Sequence, residues 1–126
     1  MRKRILLADD EVTLLKIIKL RLEHEGFGVI TAVDGEEALT HAFSKPVDLM
    51  LLDIKMPKLD GFEVCKRLKE NPVTQKIPLI LFTASSARWQ NITEKCAELG
   101  VADCLKKPFQ SKELIEKINQ ALGIAK

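Results

Sequence analysis

The segment Leu49–Gly61, LMLLDIKMPKLDG, runs apolar for four residues and then sets a carboxylate, Asp53, where a buried strand should end. A proline and an Asp-Gly turn follow closely. The same pattern opens the chain, where RILLADDE carries Ile5, Leu6, Leu7 and Ala8 directly into Asp9, Asp10 and Glu11. A charge held against an apolar run costs free energy unless it is solvated or paired. Two buried strands that end in acid therefore ask for a chemical reason.

Outward from these segments, short apolar runs alternate with helical patterns along the whole chain, the signature of strand and helix units around a parallel sheet. Strands are expected at Arg4–Ala8, Gly28–Ala32, Leu49–Asp53, Leu79–Thr83 and Asp103–Lys106. The unbroken apolar character of LMLL and LILF suits strands covered on both faces. The first helix carries Leu15, Ile18 and Leu22 on one face and stops at Gly26, a residue type that accepts the left-handed conformation at a helix end. Asp34 with Glu37, and Asp60 with Glu63, each place an acid at a cap and a Glu three residues later, which starts the second and third helices. Gly100 and Gly123 close the fourth and fifth. The fifth begins near Gln110 or Ser111 and lines up Leu114, Ile115, Ile118 and Leu122.

A chain of 126 residues suits one domain with a real core. Twenty basic against eighteen acidic residues leave a formal charge of +2, which gives no reason to expect nucleic acid as a partner. No apolar run approaches the roughly 18 residues that span a bilayer, and MRKRILLADDE turns acidic too early for a secretory signal. A cytoplasmic protein without membrane contact is expected. Cys65, Cys96 and Cys104 have neither CxxC spacing nor a histidine cluster beside them, so they read as reduced, partly buried thiols. His24 and His41 lie in helical patterns without ligand partners and receive no chemical role.

In an open parallel sheet, sites form beyond the carboxyl ends of the strands. Asp9, Asp10, Asp53, Thr83 and Lys107 all fall at or just past such ends. If the first and third strands are neighbours, three carboxylates converge, and like charges so placed push protons onto one another. Oxygen ligands of this kind suit Mg²⁺. Three aspartates, one divalent cation and Lys107 make a formally neutral site, able to accept a phosphoryl group by positioning and charge stabilisation. Taken singly, each residue has a plainer reading: Asp10 as the cap of the first helix, Thr83 as a loop hydroxyl, Lys107 as a solvated amine. All five would then have to coincide.

LLADDE, LMLLDIKMPKLDG, LILFTAS and LGVADCLKKPF together resemble, in order and over essentially the whole chain, the receiver domain of bacterial two-component response regulators. The resemblance implies an α/β, flavodoxin-like, doubly wound parallel sheet of five strands, order 2-1-3-4-5, with five helices on both faces. It implies that residues 1–126 are a single stand-alone receiver domain without an output domain, a signalling switch and not an enzyme beyond its own phosphorylation and dephosphorylation. By position, Asp53 is the phosphoacceptor, Asp10 binds Mg²⁺ directly, Asp9 holds it mainly through water, and the backbone carbonyl of Lys55 completes the protein ligands. Thr83 would hydrogen-bond the phosphoryl group, Lys107 would pair with it, and Lys107-Pro108 would be cis. The donor would be a sensor histidine kinase or phosphotransfer protein. Output would pass to a separate protein through the fourth helix, fifth strand and fifth helix, a face that includes Lys95, Lys106 and Lys112.

Two positions depart from the family's pattern. Cys104 stands on the fifth strand where most members carry Tyr or Phe, so a signal must pass through Thr83 and repacking of the fourth helix without a swinging ring. Lys55 and Ser85 flank the site, and Lys55 is expected to alter the lifetime of the phosphorylated state. Trp89, near the start of the fourth helix, is a candidate fluorescent reporter. Among alternatives, an aspartate-based, Mg²⁺-dependent phosphatase wants an acid two residues beyond its nucleophile, where this chain has Lys55. A flavin or nucleotide carrier wants a phosphate-cradling loop where ADDE presents anions. A receiver-like scaffold that is never phosphorylated is the remaining rival.

Overall fold

Residues that alternate their facing along a strand can feed two cores at once, and five such strands do so here. The structure is a computed structural model that describes residues 2–84 and 89–124. Its elements run β1 (Arg4–Ala8), α1 (Val12–His24), β2 (Gly28–Ala32), α2 (Gly35–Ser44), β3 (Leu49–Asp53), α3 (Gly61–Lys69), β4 (Leu79–Thr83), α4 (Trp89–Leu99), β5 (Asp103–Lys106) and α5 (Ser111–Leu122). The strands lie where the apolar runs predict them. All pairings are parallel, in the order β2-β1-β3-β4-β5.

Leu6, Ala8, Met50, Leu52, Leu79 and Leu81 face one side, where Ala38, Leu39, Val64, Leu68 and Cys96 from α2, α3 and α4 cover them. Ile5, Leu7, Leu49, Leu51, Ile80 and Phe82 face the other, under Leu15, Ile18 and Leu22 of α1 and Leu114, Ile115 and Ile118 of α5. The period of two along each strand makes this division. Every residue of β3 and β4 is buried, whereas the edge strands β2 and β5 are mostly half-exposed. Each fully buried Leu or Ile contributes about 1.5–3 kcal/mol relative to an exposed one.

Two of the expected caps form as expected. The Asp34 side chain accepts from the Glu37 N–H at 2.8 Å and Asp60 from the Glu63 N–H at 2.9 Å. The two glutamates turn forward along their helices, toward His41 at 3.9 Å and Arg67 at 3.1 Å. Helix α1 differs: its N-cap is Glu11, without a side-chain cap bond, so Asp10 does not serve as a cap. Gly26, at φ +96°, occupies the left-handed region that ends α1.

Gly61 brings α3 against the end of β3. Its N–H donates to the Ile54 carbonyl at 2.8 Å, and a Cβ there would lie 2.7 Å from the Asp53 carbonyl oxygen and 2.9 Å from Ile54 Cα. Backbone on both sides of the contact has no rotamer to yield. Gly61→Ala is therefore expected to destabilise the fold by roughly 2 kcal/mol, as overpacking does, and to lower the melting temperature by about 8 °C. An unchanged melting curve would show that β3 and α3 separate freely.

Candidate functional site

The strand order reverses direction at β1 and β3: the chain leaves β1 toward β2 and returns through β3 toward β4. Ala8 pairs in register with Leu52, so the residues that follow, Asp9 and Asp53, end side by side at the carboxyl rim. Asp9, Asp10 and Asp53 each bring a carboxylate oxygen to within 4.8 Å of the others. Asp9 is wholly buried and Asp53 is 5% exposed, while Asp10 is open to solvent. One rim of the sheet thus holds three acids.

Lys107 enters from the loop after β5. Its N–H donates to the Thr83 carbonyl at 2.8 Å, which ties that loop to the end of β4. Its ammonium lies 2.9 Å from Asp9 Oδ2, 3.5 Å from Asp53 Oδ2 and 3.8 Å from Glu11 Oε1, and 5.1 Å from the centre of the Phe82 ring. The Lys107-Pro108 peptide is cis, as the resemblance implies. Burial alone would lower the Lys107 ammonium, but the hydrogen bond to Asp9 and the fields of Asp53 and Asp9 outweigh it, so it is held above its ordinary value. It stays charged.

Asp53 is raised as well, which for an acid favours the uncharged form. Burial first, and then the neighbouring Asp9 carboxylate, push its carboxyl from 3.8 up to about 7, against the opposing pull of Lys107 and of the Lys55 N–H. That N–H donates to Asp53 Oδ1 at 3.3 Å. Asp9 and Asp53 share one ammonium, and the raised Asp53 reflects its burial beside a second carboxylate. The donors are all hard oxygens, which fits Mg²⁺. Asp9 is held closely at both oxygens, by the Glu11 N–H at 2.9 Å and by Lys107 at 2.9 Å, whereas Asp53 meets the Lys55 N–H and Lys107 only at 3.3 and 3.5 Å and Asp10 is open to solvent.

Thr83 ends β4, buried, beside the rim; its register partner on β5 is Lys106. A groove of about 350 Å³ runs from it toward α4, lined by Lys55, Phe62, Asn91 and Lys95 among others. The expected residues Asp9, Asp10, Asp53 and Lys107 are brought together, with Thr83 and Lys55 alongside. Ser85 lies outside the described residues. Two participants received no role in the sequence: Glu11, which reaches Lys107, and Phe82, whose ring underlies the lysine. The third acid of ADDE was a visible signal for the first, while nothing in LILFT distinguishes Phe82 from ordinary core.

On the output face implied by the resemblance, Lys106 lies 5.3 Å from the centre of the Trp89 ring and Lys95 5.8 Å from that of Phe62. Cys65 and Cys96 are fully buried and Cys104 is half-buried, all three as free thiols. No helix among the described residues is long and apolar enough to cross a membrane.

Comparison with known proteins bears on the same rim. The family model of the response regulator receiver domain matches residues 5–119. The chain is 38% identical over 97% of its length to the alkaline phosphatase synthesis transcriptional regulatory protein PhoP of Bacillus subtilis (strain 168), of which the match covers 49%. It is 42% identical over 96% of its length to the probable transcriptional regulator ycf27 of Cyanophora paradoxa, covering 48% of that protein. The chain thus spans about half the length of these curated relatives. Among solved structures, a putative response regulator from Chloroflexus aurantiacus J-10-fl superposes with a TM-score of 0.90 at 30% identity, covering 98% of this chain and 99% of that one. The receiver domain of the sensor histidine kinase PA1611 from Pseudomonas aeruginosa PAO1, solved with a magnesium ion in its active site cleft, superposes with a TM-score of 0.87 at 28% identity, over 98% and 99% of the two chains. Strand order, acidic rim and sequence agree, and the chain belongs to the response regulator receiver domain family of two-component signalling.

Proposed function

We propose that this receiver domain is a switch thrown by phosphorylation of Asp53, and that residues 1–126 act in it as one unit. The observation that carries the reading is the placement of Asp53, nearly buried, between a second carboxylate and the Lys107 ammonium at the strand rim. An Asp53 carboxylate oxygen attacks phosphorus while the bond from phosphorus to the donor breaks. The donor is a phosphohistidine of a sensor kinase or phosphotransfer protein, or a small acyl phosphate. The carboxylate enters with one negative charge and the acyl phosphate carries nearly two. Lys107 is already fixed by Asp9 and can swing its charge to the new oxygens. Thr83 supplies a hydroxyl at the neighbouring strand end.

Mg²⁺, held by Asp10 and Asp53, with Asp9 reached mainly through water and the Lys55 carbonyl as a further ligand, would neutralise the charge that gathers on the phosphoryl oxygens. The added charge would then bias two arrangements of the α4, β5 and α5 face toward one of them. A separate downstream protein would read that face, and the setting would be the cytoplasm.

Incubation with acetyl phosphate and Mg²⁺ tests the reading, with intact mass expected to show a single added phosphoryl group. No adduct, or steady release of phosphate from p-nitrophenyl phosphate, would overturn it, the second in favour of a phosphatase. Lys55 is exposed and flanks the site, so its charge shields the acyl phosphate only modestly. Lys55→Ala is expected to shorten the lifetime of the phosphorylated state about two- to fivefold, the scale of one exposed charge. Equal decay rates for the two proteins would remove Lys55 from the mechanism.

A further inference from the structure

The loop from β3 to α3 follows Asp53 directly. Its base is closed by the Gly61 N–H, which donates to the Ile54 carbonyl at 2.8 Å. Its tip turns on Lys58: the Leu59 N–H returns to the Pro57 carbonyl at 2.8 Å, and Lys58 between them takes φ +70°. A bond between residues two apart, with φ near +75° at the centre, marks the rare and strained form of γ-turn. Glycine adopts that conformation at little steric cost, whereas a Cβ crowds the backbone there. Among the described residues Lys58 is the only one other than glycine with a positive φ. A long side chain kept at a strained position calls for a use.

That use lies on α2. The Lys58 ammonium is 3.7 Å from Asp34 Oδ2 and 3.8 Å from Glu36 Oε1, at the N-terminal end of the helix. Asp34 serves both sides: Oδ1 accepts from the Glu37 N–H that starts α2, and Oδ2 faces the lysine. Gly35 lets the two segments touch. A Cβ there would meet the Leu59 carbonyl oxygen and lie 2.6 Å from Leu59 Cβ, and the Gly35 N–H donates to the Pro57 carbonyl at 3.5 Å. We infer that Lys58 is a positioning residue for the metal: its ammonium, clasped by Asp34 and Glu36, fixes the loop that carries Lys55 against α2 and so raises the affinity of the rim for Mg²⁺. The inference rests on the proposed reading of the Lys55 carbonyl as a ligand, in the same loop three residues before Lys58. A loop already held in place gives up less conformational freedom when a ligand arrives. The Lys58 side chain is 60% exposed, so the effect is bounded by the strength of a surface ion pair.

Titration of the chain with MgCl₂, followed by the backbone amide NMR signals of Asp9–Glu11, reads the affinity, and hydrogen exchange at the Leu59 amide without metal reads the loop. Lys58→Gly removes the ammonium and the strain together. Relief of strain offsets the freedom that glycine gives the unfolded chain, so the melting temperature is expected to stay where it is. The Kd for Mg²⁺ is expected to rise about two- to fivefold, and exchange at Leu59 to quicken by a similar factor, the scale of an exposed ion pair. Asp34→Asn keeps the oxygen that caps α2 and should weaken Mg²⁺ as Lys58→Gly does, with the double variant no weaker than either. Lys58→Arg should bind as wild type does. An equal Kd in wild type and Lys58→Gly, or losses from Lys58→Gly and Asp34→Asn that add, would overturn the clasp. A melting temperature of Lys58→Gly that falls along with the affinity would show general loosening and overturn positioning. A wild-type chain without Mg²⁺-dependent shifts would sink the metal reading itself, whereas failure to take up phosphate would sink the proposed switch and leave the clasp standing.

Discussion

Asp53→Asn takes up no phosphoryl group from acetyl phosphate and Mg²⁺ under conditions in which the wild-type chain gains one: this is the expected result with the largest effect. The substitution keeps the shape and burial of the side chain but removes the nucleophilic oxygen pair, and an amide does not form an acyl phosphate. The other acids cannot substitute for it. Asp9 has one oxygen on the Glu11 N–H and the other on Lys107 at 2.9 Å, and Asp10 lies out in solvent, whereas Lys107 meets Asp9, Glu11 and Asp53. Intact mass of both proteins side by side reads the outcome. A phosphoryl group on the Asn variant would place the acceptor elsewhere, and the roles proposed for Lys107 and Thr83 would go with it.

Metal-free Asp53→Asn is also expected to be more stable than wild type, and the pH dependence of the difference identifies the cause. The folded chain holds the Asp53 proton up to about pH 7, whereas an unfolded chain releases it near 3.8. The folded state therefore binds this proton more tightly, and the carboxylate costs stability wherever it is forced to ionise. The cost is absent below the unfolded value, grows as pH rises toward about 7, and is constant above. At 1.4 kcal/mol for each pK unit, the gain in the Asn variant is on the order of 2–4 kcal/mol at pH 8 and near zero at pH 4. Thermal melts in EDTA at the two pH values check it. Saturating Mg²⁺ should stabilise wild type more than the variant, because the cation relieves the same repulsion. A variant less stable than wild type at pH 8 would mean that the pull of Lys107 on Asp53 outweighs burial and Asp9 together.

How much of this was legible in the chain depends on which physics is local. The strands at Leu49–Asp53 and Leu79–Thr83 announce themselves because parallel strands buried on both faces must be apolar at every position. Asp34 and Asp60 announce their helices because a cap is a bond between residues three apart. Glu11 as the N-cap of α1 was not legible: three acids stand in a row, and which one the helix uses depends on where Asp9 is held by Lys107, 98 residues away. Phe82 could not be told from core either, since its ring sits under an ammonium that arrives from the far end of the chain.

Sequence by itself determined the elements, their alternation and the residue types waiting at the strand ends, because apolar period, caps and turns are contacts between near neighbours along the chain. Only the tertiary structure decided that Asp53 sits at 5% exposure beside a wholly buried Asp9 and 3.5 Å from Lys107. Those facts turn on strand order and on how deeply each rim is covered, and burial and charge proximity, which set the Asp53 proton, are properties of the assembled sheet and not of any one segment.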